Sequence, residues 1–438
     1  MGVQWRERKP NFESSLECSL GGRTRNGARF YLASGVELTQ LGSVFTYMRA
    51  HIATGIDIGT YETKVVMAES NPADERTLAR IIGTGRAESR GLRHGYIVNV
   101  REATGSVMEA VAQAEKTSGV KIRRAFVSIG GMSLASVIST GAAVISRADS
   151  EVTDMDMEKA VRAAEKNIPG GQIINRRIIH TVPLSYKIDN KLVFGRPSGM
   201  KGNKLETRAL FVTCLAQHLN DLVETVTDAG IEVLDIVAGP LASSLVTLSK
   251  NQKVAGCLLA NIGAETVSIV VFENNLPISL EVFPLGSTDI TNDIALGLRT
   301  SIEDAENLKR GVLSAVQFPK KKLDEIIDAR FSDMFDLMEE HLKKIDRNGL
   351  LPAGITLTGG GSSAPLIAET AKTALKLPSR IATLSVNGKD NVKDSIWSVA
   401  YGLSVLGAGT EDALDQGFSK NGGGFAKKAG EWLRQFLP

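Results

Sequence analysis

The chain has 438 residues, 43% of them hydrophobic and 23% charged, enough for two domains or one large bilobal body with a sizeable core, which excludes a disordered polymer. A formal net charge of only +2 argues against a general nucleic-acid binder. Three scattered cysteines, Cys18, Cys214 and Cys257, are too few for a disulfide framework or a zinc site, and the last two lie in apolar runs as core thiols of a reducing cytoplasm.

Residues 1–47 mix Gly, Arg and Ser without periodicity. Arg6, Arg8 and Lys9 are not followed by an apolar core, so this is no secretory signal. The segment reads as a disordered extension, or as upstream sequence ahead of a true start at Met48. An N-terminal mass beginning at Met48 supports the second version, and one beginning at Met1 refutes it. No apolar stretch anywhere is long enough to span a bilayer.

From Met48 the pattern sharpens. ATGIDIGTYETKVVMAE (53–69) predicts a strand, a tight turn and a second strand. Asp57, Gly59 and Thr60 form a D-x-G-T turn. Glycine lets backbone approach a phosphate, and the turn's N–H groups make an anion-binding concavity. Lys64 on the return strand reaches the same phosphates, and Asp57 can hold water on a magnesium ion. The segment LFVTCLAQHLNDLVETVTDAGIEVLDIVAGPLASSLVTL (210–248) reads strand, helix, strand, helix. Such alternation supports an α/β class.

A second copy of the hairpin follows in CLLANIGAETVSIVVFE (257–273). Laying Asn261 on Asp57 puts Gly263 on Gly59, Ile269–Phe272 on Val65–Ala68, and Glu273 on Glu69. A repeated hairpin implies two related lobes, each offering a phosphate loop. KKKLDEIID (320–328) reads as a solvated helix face. GITLTGGGSSAPLI (354–367) is a strand running through Gly359, Gly360 and Gly361 into a helix, whose N-terminus favours anions. Singly, each turn also fits an ordinary connection. The three in this order carry the specificity. His51, His94, His180, His218 and His341 show no metal-ligand spacing, and His180 reads as structural.

On a helix, Phe425, Ala429, Trp432, Leu433 and Phe436 share one side, with Leu437 at its edge. Lys427, Lys428, Glu431, Arg434 and Gln435 take the other. This is the pattern of an interfacial helix on an anionic membrane, and it also fits a helix that packs on protein. Residues 408–424, with Gly417 and Gly422 to Gly424, read as a flexible tether.

From about residue 50 onward the chain resembles the actin, hexokinase and Hsp70 superfamily, and within it the FtsA family of bacterial cell-division proteins. GIDIGTYETK (55–64, including Tyr61) matches its first phosphate loop, and NIGAET (261–266) the second. ITLTGGGSSAPLI (355–367) matches the adenosine loop, and WSVAYGLSVLGAG (397–409) the second connecting helix. The resemblance implies a bilobal actin-like ATPase fold with an FtsA-type 1C subdomain, binding ATP and Mg²⁺. It implies subdomain 1A over 48–130 and 209–250, 1C over 131–208, 2A over 251–290 and 351–407, and 2B over 291–350. Adenine and ribose contacts would fall on Glu306 and Lys309, which also fit a solvated helix face.

The second phosphate loop departs from the family. Asn261 replaces the usual aspartate, and Ala264 and Glu265 replace glycines. Asn261 loses the charge that organises metal and water, and Glu265, unless it points away, adds one where phosphate oxygens would sit. Slow or absent hydrolysis follows. The resemblance further implies that region 290–350, with Arg299, Lys309, Lys320, Lys321 and Lys322, binds the acidic C-terminal peptide of the tubulin-like protein FtsZ. Head-to-tail filaments would strengthen a tail-mediated hold on the membrane's cytoplasmic face. The rival readings are a PilM-like pilus-assembly protein, which lacks such a tail, and a small-molecule kinase, which needs a catalytic aspartate.

Overall fold

The structure, a computed structural model, describes residues 51–70, 79–312, 318–364, 367–384 and 395–415. The first 50 residues, Cys18 among them, and residues 416–438, with most of the expected tether and all of the amphipathic segment, lie outside the described residues.

β1 (His51–Ile58), β2 (Glu62–Ser70) and β3 (Arg80–Glu88) form an antiparallel meander. A short ladder, β4 (Leu92–Arg93) with β5 (Tyr96–Ile97), leads to helix α1 (Val100–Ser118). Asn99 caps that helix by accepting the Glu102 N–H, and Gly119 ends it at φ 75°. Ala103, Val107, Ala110, Val111 and Ala114 form its buried stripe. β6 (Arg124–Ile129) then joins β1 in parallel.

An inserted layer follows: β7 (Ala135–Val144), α2 (Asp154–Lys166), β8 (Arg176–Ile188), β9 (Lys191–Val193) and β10 (Lys204–Leu215). Its antiparallel sheet has the order β7-β10-β8-β9. The boundary expected at 208 falls inside β10, which stays paired with β7 and β8 beyond it, its register against β8 shifting after Arg208 and after Val212. ALFVTCL is apolar apart from Thr213, a good strand former, so no turn residue marks the end of the insert there. The insert reaches the second lobe through Ser136. Its hydroxyl donates to the Leu280 carbonyl at 2.7 Å and accepts the Leu280 N–H at 2.9 Å.

The chain returns through α3 (Ala216–Asp228) and β11 (Glu232–Ala238), which pairs parallel to β6 and completes the sheet β11-β6-β1-β2-β3. Helix α4 (Gly239–Thr247) and α5 (Lys250–Ala255) lead to the second lobe. There β12 (Cys257–Ile262), β13 (Val267–Glu273) and β14 (Leu276–Phe283) repeat the meander. Three helices come next: α6 (Ser287–Leu298), α7 (Ile302–Lys309) and α8 (Lys320–Lys344). β15 (Ile355–Thr358), α9 (Ile367–Leu375) and β16 (Ser379–Ile381) close the lobe. Its sheet order, β14-β13-β12-β15-β16, repeats that of the first lobe, with the parallel strands again beside the first strand of the meander.

Helix α10 (Ser398–Asp415) crosses back onto β1, β2 and α4. An added Cβ at Gly402 would lie 2.0 Å from the Ala242 carbonyl oxygen, and one at Gly55 2.2 Å from that of Ala400. Backbone therefore meets backbone behind the two lobes. The helix also corrects the expected start of the tether at 408, since residues 408–415 are helical. That stretch holds Ala, Glu and Leu and no proline, so propensity continues the helix through its glycine. Among the described residues no helix is long and apolar enough to cross a membrane.

Candidate functional site

A cleft of about 1110 Å³ opens between the two meander sheets. The repeated hairpins face each other across it. Asp57, Gly59, Thr60, Tyr61 and Lys64 line it from the first, and Asn261, Gly263 and Ala264 from the second. Gly359, Gly360 and Gly361 form a third wall, and Glu306 and Lys309 a fourth. Sequence reasoning named all of these, and the fold brings them to one place.

The hairpins match in detail. A Cβ at Gly59 would stand 3.0 Å from the Glu62 carbonyl oxygen, and one at Gly263 3.0 Å from that of Thr266. Both turns are too tight for a side chain to sit easily. The start of α6 clasps the second turn, because Ser287 N–H donates to Gly263 O and Thr288 N–H to Ala264 O. Gly359 has φ 87°, and its Cβ would collide with Asn261 Oδ1 at 2.3 Å and Ile262 O at 2.6 Å. Only glycine fits there.

Asp57 sits at the end of β1, where Ser128 donates a hydroxyl to Oδ1 at 2.7 Å. Ser128 lines the cleft too and escaped the sequence reading, although it stands just before the Gly130–Gly131 pair. Among the described residues no three His, Cys, Asp or Glu side chains gather as a metal cage. Mg²⁺ needs no cage, since it is commonly held by one carboxylate together with waters and substrate phosphates. Asp57 with its neighbouring hydroxyls fits that demand.

Glu306 is the most heavily bonded carboxylate of the cleft. It accepts from Lys309 Nζ at 2.6 Å, Thr291 Oγ1 at 2.6 Å and Arg310 Nε at 2.7 Å. Burial raises its pKa, but those three donors outweigh burial and hold it at about 2. For Lys309 the balance tips the other way. Burial pushes its ammonium below the usual lysine value even though Glu306 pulls it up. The carboxylate gains three donors and the ammonium one carboxylate, so the asymmetry is physical. Lys309 is 12% exposed at the side chain, so it belongs to the cleft and cannot also meet an acidic peptide at the surface.

Two expectations change. Glu265 does not line the cleft. Its carboxylate accepts the backbone N–H of His94 in the first lobe, so it adds no charge where phosphates would sit. KKKLDEIID is not wholly a solvated face, because Lys320, Leu323, Asp324, Ile327 and Asp328 line the cleft. Arg310 was missed. It stands four residues after Glu306, the helical spacing at which such pairs form.

Two family models match the chain: "Cell division protein FtsA" over residues 258–402, and "SHS2 domain inserted in FTSA" over 131–213. A cell division protein FtsA of Pseudomonas aeruginosa is 32% identical over 377 residues, covering 81% of this chain and 88% of that protein. The chain belongs to the FtsA family. The FtsA of Bacillus subtilis is 30% identical over 370 residues, 80% of this chain and 81% of that protein. The FtsA of Escherichia coli K12 is 25% identical over 418 residues, 88% and 98%. Among solved structures, a "PilM-PilN type IV pilus biogenesis complex" chain superposes with TM-score 0.61 at 18% identity, covering 81% of this chain and 98% of that one. That likeness shows the shared bilobal actin-like fold. The SHS2 match runs from just before β7 into β10, so the inserted layer is the part of the chain that this model describes.

Proposed function

We propose that this FtsA-family chain binds ATP with Mg²⁺ in the cleft, hydrolyses it slowly or not at all, and links the FtsZ ring to the cytoplasmic face of the membrane. One observation carries the nucleotide reading: three glycine turns from separate parts of the chain, Gly59, Gly263 and Gly359–Gly361, converge on one cleft with Asp57 on its floor. Backbone N–H groups in such turns bind phosphates. Glu306 and Lys309, which line the same cleft, would meet hydroxyls of a ribose. Asp57 would hold the magnesium, whose role is to neutralise phosphate charge.

Slow turnover follows from the second hairpin. Asn261 offers an amide where a carboxylate would orient the attacking water, and Glu265 is spent on His94. Lys309 is committed to Glu306, which leaves Arg299 and the exposed Lys321, only loosely paired with Glu325, with Lys322 held on the Gly297 carbonyl, for an acidic FtsZ peptide. The pilus-assembly reading rests on fold alone, and the tail expected at 425–438 favours a membrane mooring over it.

Calorimetric titration of the full chain with ATP and Mg²⁺ tests the site. One ATP per chain is expected. Gly359→Val, which must displace Asn261 or Ile262, is expected to bind at least about tenfold more weakly, the loss of roughly one charge-assisted hydrogen bond. Steady phosphate release in the range of about 1–100 per second, typical of kinases, would overturn slow hydrolysis. Failure of the full chain to take up ATP would overturn the site.

A further inference from the structure

Two contacts join the lobes, one at the cleft and one beside it, and they start from matching positions. With Asn261 laid on Asp57, Tyr61 falls on Glu265. Each residue is the tip of its hairpin, and each turns its polar group to the opposite lobe. The Tyr61 hydroxyl accepts from Arg310 Nη2 at 2.9 Å, and the guanidinium carbon lies 5.6 Å from the centre of the Tyr61 ring. Arg310 is fixed in the second lobe by Glu306. In the other direction, the Glu265 carboxylate accepts the backbone N–H of His94, and His94 Nδ1 lies 3.4 Å from the Glu265 carbonyl oxygen. His94 stands between β4 and β5 of the first lobe with φ 46°, a left-handed conformation, and its N–H points to the Glu265 carboxylate of the second lobe.

We propose that these two contacts form a paired gate that sets how fast nucleotide enters and leaves, and that Tyr61 and Glu265 are straps between lobes and not ligands of the phosphates. The gate rests on the nucleotide reading of the cleft. Its logic is kinetic. Both contacts join protein to protein, so they are open to being made with or without nucleotide. A lobe opening that must precede both entry and exit scales the two rate constants by the same open fraction. The dissociation constant then stays nearly constant while both rates change. A side chain that touched nucleotide would behave otherwise, because its loss raises the exit rate alone and weakens affinity in proportion.

The strength of each strap is modest. Tyr61 is 53% exposed and the Arg310 side chain 48%. Water competes at such sites, so each strap is expected to change the open fraction about three- to tenfold.

Stopped-flow mixing of the full chain with a fluorescent N-methylanthraniloyl ATP and Mg²⁺ tests this. Tyr61→Phe removes one oxygen and Glu265→Ala one carboxylate. Each is expected to raise association and dissociation together by about three- to tenfold, with the dissociation constant moving less than about twofold. The double variant should raise both further. Dissociation rising alone, with affinity falling in step, would show that these side chains are ligands and would overturn the gate. Rates equal to wild type would overturn it as well. Hydrogen exchange on the nucleotide-free chain distinguishes failure of the gate from failure of the site. Faster exchange over 302–311 in Tyr61→Phe establishes the first strap by itself, and unchanged exchange there refutes it. Absence of any uptake by wild type would remove the nucleotide reading and the kinetic gate together.

Discussion

His180, His218 and His341 are all buried and neutral, and this dictates a response to acid. Burial pushes His180 down to about 3 and the other two down to about 4. Each serves structure. His180 Nε2 accepts the Ala238 N–H at 3.0 Å, which ties the insert's β8 to the end of β11 beside the cleft. His218 Nδ1 meets Ser133 Oγ at 2.5 Å, and His341 Nε2 meets Ser279 Oγ at 2.8 Å. In the unfolded chain these rings take up protons near pH 6.5. Between that value and their folded pKa the unfolded state binds more protons. Stability is thus fully present above about pH 6.5 and lost as pH falls, by about 1.4 kcal/mol per pH unit for each such histidine. The urea midpoint of the full chain should drop clearly between pH 7 and pH 5. His180→Gln keeps an acceptor for Ala238 N–H without titrating, so its midpoint should fall less steeply. Equal slopes for the two would contradict the assignment. At this scale the residue types were legible in the sequence and their directions were not. Asp57, Lys64 and Gly359 stand in the cleft because strand register and φ leave them no alternative. Glu265 could be placed at a hairpin tip, but no local pattern says which lobe a tip side chain will meet.

At the scale of elements, the repeated hairpin was the clearest signal in the chain. Apolar strand, glycine turn and apolar strand are dictated by local chemistry, and the duplicated sheet order follows from them. Ends of elements were less legible. β10 continues through an apolar run that carries no stop, and α10 outlasts its glycines because helix propensity around them prevails. The least legible feature was the crossing of α4 with α10, which depends on distant residues meeting. There Ser398 Oγ accepts from Ser243 Oγ at 2.9 Å and lies 3.0 Å from Thr358 Oγ1, so both connecting helices and the strand before the glycine wall share one hydroxyl. Gly402 is what permits the approach. Gly402→Val must push α10 off Ala242, and overpacking of this kind costs about 1–3 kcal/mol. The expected result is a lower urea midpoint together with weaker ATP uptake, because the displaced helices carry Ser398, Val399, Gly239 and Pro240 of the cleft lining. Gly105 offers a control, since a Cβ there meets nothing within 4 Å. Gly105→Ala lies on α1 and should raise stability by up to about 1 kcal/mol, and the urea midpoint slightly with it.

For the whole molecule, the proposed attachment to a membrane has to come from somewhere other than the described helices, none of which is long and apolar enough to cross one. The answer proposed here is the segment with Phe425, Trp432, Leu433, Phe436 and Leu437 set against Lys427, Lys428 and Arg434. An interfacial helix of that length would bind weakly, so the proposed hold would depend on how many copies act together. In the proposed reading nucleotide would enter at that point, because lobe closure would set the shape that successive copies must match. Co-sedimentation with anionic liposomes separates the two terms. The full chain should pellet with the vesicles, and a chain ending at Gly424 should stay in solution. ATP should increase the pelleted fraction of the full chain only, since avidity multiplies an existing contact and cannot replace a missing one. High salt should weaken binding through Lys427, Lys428 and Arg434 without abolishing it, the apolar face being indifferent to screening. Trp432→Glu should abolish it at any salt. Equal pelleting of the full and shortened chains would place the membrane contact on the folded body. The basic surface near Lys321 and Lys322 would then be the first place to seek it.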